Sequence, residues 1–385
     1  MRPLTCARVR QTAAEKKLRI VGILTDANED KESAVTDTGS RAKLGLLEQL
    51  AIGPVICAEG YLFELERRGY LQAGAFVPEV VLEHPELVAQ LHREFVHAGS
   101  DVVEAFTYYA HREKMRIVGK EHLLEKINRE ALSIAKGVAD ESGALFAGDI
   151  CNTNVFVADE ESRRAARAMF DEQVGWAVHT GVDFVIGETF SWGEEALIAL
   201  ESIKATGLPA VITLAIHQEP TTREGWTPED ACKRLEDAGA NVVGLNCIRG
   251  PRTMLPLIKA IRARVDGYVA ALPVPYRTHD SQPSFQSLRD PGYDELPEGR
   301  PFPTALDPFT CNRHELGDFA RDAHALGVSY LGVCCGAGPH HVRAVAEALG
   351  RAPAASRYSP DMSKHAYLGT DDLLKPENQK YAGRL

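Results

Sequence analysis

Asp183-Phe184-Val185-Ile186-Gly187 and Val242-Val243-Gly244-Leu245-Asn246 decide the fold. Both are nearly unbroken apolar runs, the pattern of strands covered on both faces by helices in a parallel sheet. Working outward, comparable runs recur at 55–60, 101–109, 144–150, 183–190, 209–216, 241–248, 268–275 and 328–336. Longer stretches with helical spacing separate them. In 121–141, Leu124, Ile127, Ala131, Ile134 and Val138 recur at three- and four-residue steps, and in 160–181, Ala166, Phe170, Val174 and Ala177 do the same. Several of these stretches close on a glycine suited to a left-handed cap (Gly99, Gly181, Gly239, Gly327).

Eight strands alternating with helices predict an α/β fold of the (β/α)8 TIM-barrel type. A doubly wound sheet would instead carry Gly-x-Gly-x-x-Gly after an early strand. Only Gly336-Ala337-Gly338 comes near it, after the last run, with His341 where the third glycine should stand. The reading divides the chain into a polar N-terminal extension at 1–43, a barrel at 44–350, and a C-terminal tail or oligomer arm at 351–385. Residues 273–308 hold eight of the 21 prolines, which suits a stiffened loop at the barrel mouth, a lid or a subunit contact.

The net charge of −11, with no basic stripe, argues against a nucleic-acid partner. No apolar stretch reaches the roughly 18 residues a membrane span needs. The first residues are basic without an apolar core, unlike a secretion signal. Eight irregularly spaced cysteines do not make a disulfide framework. Reduced thiols in a cytoplasmic protein fit better.

Reactive side chains of such barrels sit at the C-terminal strand ends. Those ends carry Glu59-Gly60, Tyr108-Tyr109, Asp149 and Cys151, Glu188-Thr189, His217, Asn246-Cys247 and Cys334-Cys335-Gly336. A lone buried cysteine is ordinarily a small hydrophobe. Three at the ends of neighbouring strands, one pair followed by a glycine that lets the chain turn, point to a metal. Thiolates suit Zn2+, and three protein ligands leave the open fourth position of a catalytic site. Cys247, Cys334 and Cys335 are therefore the expected ligands. Such an electron-rich site favours alkylation of a bound sulfur over activation of water. Two rival readings are a closed structural site with His217 as fourth ligand, and a zinc hydrolase with Glu188 as base.

The segments Leu47-Glu48-Gln49-Leu50, Leu91-His92-Arg93-Glu94-Phe95 and Phe106-Thr107-Tyr108-Tyr109-Ala110 resemble the betaine–homocysteine S-methyltransferase branch of the zinc-dependent homocysteine methyltransferases. So do Gly244-Leu245-Asn246-Cys247, Gly332-Val333-Cys334-Cys335-Gly336 and Pro339-His340-His341-Val342-Arg343. The resemblance covers residues 44–350. It implies a barrel with zinc at the three cysteines and homocysteine as methyl acceptor, methionine being the product. It also implies that Glu59, Gly60 and Glu188 hold the amino-acid end of homocysteine, with Asn246 beside them. Glu59 and Tyr61 stand where the family usually has aspartate and a second glycine, and Ala105 where the betaine enzymes have threonine. The donor is expected to be a small onium compound, betaine first, with dimethylsulfoniopropionate or S-methylmethionine as alternatives. Tyr109 matches an aromatic cage position. Phe76 replaces a tryptophan of the cage and Thr189 a tyrosine. The resemblance further implies a homo-oligomer, such as a tetramer using the tail.

Overall fold

The computed structural model describes residues 43–385 apart from 293–294 and 371–373; the extension expected at 1–43 lies almost wholly outside them. The described residues form eight parallel strands, β1 (Val55–Ala58), β2 (Val102–Glu104), β3 (Leu145–Cys151), β4 (Phe184–Phe190), β5 (Ala210–Leu214), β6 (Val242–Asn246), β7 (Tyr268–Leu272) and β8 (Tyr330–Val333). Each coincides with one of the apolar runs of the sequence, β3 running one residue past its run to Cys151. Hydrogen bonding follows the order β1-β8-β7-β6-β5-β4-β3-β2, so β1 and β2 must meet to close the ring. Asp101 makes that closure. Its backbone N–H donates to the Ile56 carbonyl and its carboxylate accepts from the Ile56 N–H, both at 2.8 Å. Arg351, just beyond the last barrel helix, pairs with the same carboxylate at 2.6 Å and braces the seam from outside.

The strand interior is packed solid at its N-terminal end. Val55, Val102, Leu145, Phe184, Ile186, Val211, Val242 and Tyr330 fill it, and Leu46 and Leu50 of the helix Leu46–Ile52 plug it from below. This layer is apolar but for the Tyr330 hydroxyl, which is buried there without a hydrogen-bond partner. Chemistry is confined to the opposite, C-terminal mouth. The helical periodicities read at 121–141 and 160–181 appear as helices Leu124–Ser142 and Glu160–Thr180. The latter is opened by an Asp159–Ser162 capping box and closed by left-handed Gly181. Among the described residues no helix is long and apolar enough to cross a membrane.

After the last barrel helix, Pro339–Ala348, the tail runs through short 3-10 turns to a helix at Pro376–Ala382. It exposes Tyr358, Met362, Tyr367, Leu368, Tyr381 and Leu385.

Candidate active site

Cys247 follows β6, and Cys334 and Cys335 follow β8. Both strand ends are tied to the end of β7 between them. The Cys247 N–H donates to the Leu272 carbonyl at 2.9 Å and the Cys334 N–H to the Pro273 carbonyl at 3.0 Å. The three sulfurs consequently converge, all within 4.8 Å of one another. Gly336 makes the turn that lets two adjacent cysteines face the same point, with φ +91°, and a Cβ there would lie 2.1 Å from the Tyr276 hydroxyl. Hydrogen bonds from Cys334 and Cys335 draw the Cys247 thiol well below its ordinary range. Two zinc–sulfur bonds of about 2.3 Å at a tetrahedral angle set sulfurs slightly under ~4 Å apart, a spacing that the 4.8 Å limit on the trio admits. The seven cysteines of the described residues are all free thiols.

Below the sulfurs lies a small cavity of about 20 Å³ lined by Glu59, Glu104, Asp149, Glu188, Tyr61 and the Cys334–Cys335 pair, among others. It has room for about one water-sized group. Asn246 is its hub. Its amide nitrogen reaches Glu188 at 2.5 Å, Glu59 at 3.1 Å and the Thr189 hydroxyl at 2.9 Å, while its oxygen accepts the Thr189 N–H at 2.9 Å. Burial, with Cys247 adding to it, lifts the Glu188 carboxyl to about 8, and burial together with Glu188 pushes Glu59 well above the carboxylate range. Glu59 Oε1, Asp149 Oδ1 and both oxygens of Glu104 are buried without a hydrogen-bond partner. A small cation entering here would satisfy these oxygens and favour their ionised forms. Glu104 escaped the sequence reading, which ran this strand to Tyr108-Tyr109, whereas β2 ends at Glu104. Gly60 lies at the entrance of the helix Tyr61–Arg67, pressed so close to the Ala337 carbonyl that a Cβ would sit 2.4 Å from it.

Above the sulfurs opens a cavity of about 730 Å³. Cys247 and Cys335 form part of its floor, and Phe63, Phe76, Tyr108, Tyr109, Phe285 and Phe302 part of its wall. The proline-rich loop supplies the last two of these rings. Thr189 and His217 also line it. The sequence-derived acceptor residues thus lie beneath the trio and the onium-cage candidates above it. Six non-glycine residues around the cavity hold left-handed backbone: Phe76 (φ 52°), Tyr109 (60°), Asn154 (63°), Thr189 (61°), Cys247 (55°) and Ile248 (56°). Strained backbone of this kind clusters where a surrounding structure fixes a functional geometry.

Cys151 stands apart. Its sulfur accepts the Tyr109 N–H at 3.3 Å, which helps seat that ring. His217 is not among the converging groups of the described residues; its Nε2 pairs with the Ser191 hydroxyl at 2.9 Å. Nothing in this geometry calls for it as a fourth ligand.

The chain matches the family model described as homocysteine S-methyltransferase over residues 56–349. It is 38% identical over 342 residues to betaine–homocysteine S-methyltransferase 1 of Mus musculus, a match spanning 86% of this chain and 81% of the relative. It is 36% identical over 338 residues to the S-methylmethionine–homocysteine S-methyltransferase of Rattus norvegicus, spanning 86% and 88%. Among solved structures, the metallated form of the homocysteine methyltransferase MmuM from Escherichia coli superposes with a TM-score of 0.60 at 18% identity. That match covers 77% of this chain and 97% of the other, and it bears on the barrel fold alone.

Proposed function

Because the chain belongs to the homocysteine S-methyltransferase family, we propose that it moves a methyl group from a small onium donor to the sulfur of homocysteine, giving methionine, with Cys247, Cys334 and Cys335 as ligands of a zinc ion. Betaine is the reference donor, on the strength of the relatives' names. The observation that carries the reading is the meeting of three sulfurs between an acidic pocket and an aromatic cavity. Zinc held by three thiolates would keep an incoming substrate thiol deprotonated while leaving it electron-rich.

The protein's own side chains do the rest. Glu59 and Glu188 bind the ammonium of homocysteine, and Asn246 holds both carboxylates at a fixed separation. Gly60, without a side chain, lets the substrate carboxylate approach the backbone. Tyr109 and Phe76 hold the onium group, each ring face contributing about 0.5–2 kcal/mol of attraction. Phe63, Phe285 and Phe302 exclude water and align the donor methyl with the acceptor sulfur, where orientation itself accelerates transfer. The new S–CH3 bond forms as the donor's bond to the methyl breaks. The leaving group departs neutral, with the electron pair of the broken bond, so no acid is needed to assist it.

The barrel at 44–350 carries this chemistry, and the exposed apolar side chains of the tail at 351–385 support a homo-oligomer, a tetramer by family resemblance. Light scattering on full-length and tail-truncated protein tests that arrangement. Free thiols at the reacting centre need a reducing compartment, which supports the cytoplasm. The activity is tested by incubating reduced, zinc-loaded protein with homocysteine and a panel of onium donors. Methionine should accumulate with at least one; none with any donor would contradict the assignment.

A further inference from the structure

The pocket beneath the sulfurs holds more acidic groups than one ammonium needs and nothing to receive an anion. Glu59, Glu104, Asp149 and Glu188 all line it, and among the described residues that line it there is no lysine, arginine or histidine. Glu104 is 2% exposed and Asp149 5%. Both Glu104 oxygens, Asp149 Oδ1 and Glu59 Oε1 are buried without a hydrogen-bond partner. Oxygens of Glu104, Asp149 and Glu188 lie within 4.8 Å of one another. Three acceptors, each about 2.9 Å from one nitrogen at tetrahedral angles, stand about 4.7 Å apart. This trio therefore admits a primary ammonium, which has three N–H groups to donate. The free room, about 20 Å³, takes about one water-sized group, the size of that ammonium, and leaves none for a carboxylate beside it. Tyr61 closes the space on one side, its ring buried 4.8 Å from His92 and 5.2 Å from Phe95, centre to centre. On an α-amino acid the carboxylate hangs from the carbon that bears the ammonium, so it cannot be parted from these acids. Ionised, both sides offer acceptors only, and like charges repel strongly away from water.

We propose that this pocket is built for a primary aminothiol without a carboxylate, and that the protein methylates 3-aminopropane-1-thiol, which is homocysteine less its carboxyl group, in preference to homocysteine itself. Glu104 and Asp149 join Glu59 and Glu188 around the ammonium and set the choice of acceptor. The inference rests on the methyl-transfer reading above and adds an acceptor class to it. The aminothiol gives its thiol proton to solvent as it binds. Its sulfur then forms a bond to the methyl carbon as the donor's bond to that carbon breaks. The electron pair stays with the donor, which leaves neutral; the product is the S-methyl thioether of the amine, and no oxidant or reductant takes part.

The test compares three thiols of equal chain length: homocysteine, 3-aminopropane-1-thiol with the ammonium alone, and 4-sulfanylbutanoate with the carboxylate alone. Reduced, zinc-loaded wild type and Glu104→Gln are assayed with betaine and with S-methylmethionine as donors, S-methylated products being read by mass spectrometry. Isothermal titration without donor reads the affinity for each thiol. With wild type the aminothiol should bind most tightly and give the highest kcat/KM, about tenfold above homocysteine, the scale of one charge-assisted contact. 4-Sulfanylbutanoate should be the poorest of the three. Glu104→Gln removes a charge from the ammonium and offers an amide N–H to a substrate carboxylate. It should raise KM for the aminothiol about tenfold and leave that for homocysteine within about twofold, at unchanged zinc content. Homocysteine used by wild type as well as the aminothiol, or better, would overturn the aminothiol site and leave methyl transfer standing, whether or not the variant folds. An equal effect of Glu104→Gln on both thiols in folded, zinc-replete protein would overturn it as well. No S-methylated product from any thiol with either donor would overturn the methyl-transfer reading and this inference together.

Discussion

The guanidinium of Arg67 donates a 2.7 Å hydrogen bond to the hydroxyl of Tyr276, 209 residues away in the chain, and a second one of 3.0 Å to the Gly336 carbonyl. That hydroxyl occupies the space a side chain at 336 would need. The turn that aims Cys334 and Cys335 at one point is therefore clamped from the first barrel helix and from the loop after β7. Outer partners of this kind commonly decide how tightly a metal is held.

Removing the clamp should loosen the metal before it unfolds the barrel. Arg67→Met is expected to weaken zinc binding about 10–100-fold in a chelator competition, with the far-ultraviolet spectrum unchanged. Gly336→Ala combines left-handed strain with a clash on Tyr276, and should cost about 1–3 kcal/mol of stability and most of the bound zinc. An Arg67→Met protein that holds zinc as tightly as wild type would remove the guanidinium from this role.

Acceptor binding should separate cleanly from metal binding. Glu188→Gln removes a charge from the ammonium pocket while keeping an oxygen for hydrogen bonding. Its KM for homocysteine should rise about tenfold or more at unchanged zinc content. Asn246→Ala frees both carboxylates and strips the Thr189 N–H of its partner, and should cost a further 1–3 kcal/mol or so of stability. Isothermal titration with homocysteine and chemical denaturation read the two effects apart.

The cage makes a prediction of opposite selectivity. Tyr109 lines the upper cavity and is not among the residues that line the acceptor pocket, meeting it only through the neighbouring Tyr108 ring, 4.4 Å away. Tyr109→Ala should raise donor KM by about 2–30-fold, the worth of one ring face, and leave homocysteine affinity unaltered. A matching loss for homocysteine would show that the two pockets are not separate.

Three buried histidines make the fold acid-sensitive. Burial drops His92 to about 3, with Arg93 adding to it, and His111 and His341 to about 4. Each is built to be neutral. His341 Nδ1 accepts the Gly338 N–H, His111 Nδ1 accepts the Lys114 N–H, and neither ring nitrogen of His92 has a partner. Below the ordinary histidine value of about 6.5 the unfolded chain takes up protons that the folded one refuses, so stability falls as pH drops from about 6.5 toward 4. The loss is about 2 kcal/mol per residue at pH 5. His92→Phe leaves no buried polar atom and should stabilise the protein, more at pH 5 than at pH 7, by urea denaturation. A larger gain at pH 7 would contradict the sign.

Much of this was legible in the sequence. Unbroken runs such as 183–187 and 242–246 are the pattern of strands covered on both sides, and eight of them in alternation with helices leave few folds. Cys247, Cys334 and Cys335 were legible because softness and strand-end position are properties of residue type and register. Asn246 was visible only as a neighbour of Cys247; its bonds to Glu59 and Glu188 join β1, β4 and β6, and no local pattern records that. Asp149 was read at a strand end, but Glu104 was not, and only the inward pleat turns both to the pocket. Arg67, the last residue of the helix Tyr61–Arg67, has no local signal for a partner at 276. The proline-rich loop was recognised as belonging to the mouth, but its contribution, Phe285 and Phe302 in the cavity wall, depends on how it folds back.

Zinc K-edge X-ray absorption on the reduced, zinc-loaded protein, with and without homocysteine, tests the central claim most directly. Three sulfurs at about 2.3 Å plus one lighter ligand should be found without substrate, and four sulfurs once homocysteine is added. A sulfur count that does not rise with homocysteine would show that the trio of Cys247, Cys334 and Cys335 does not present an open position to the substrate.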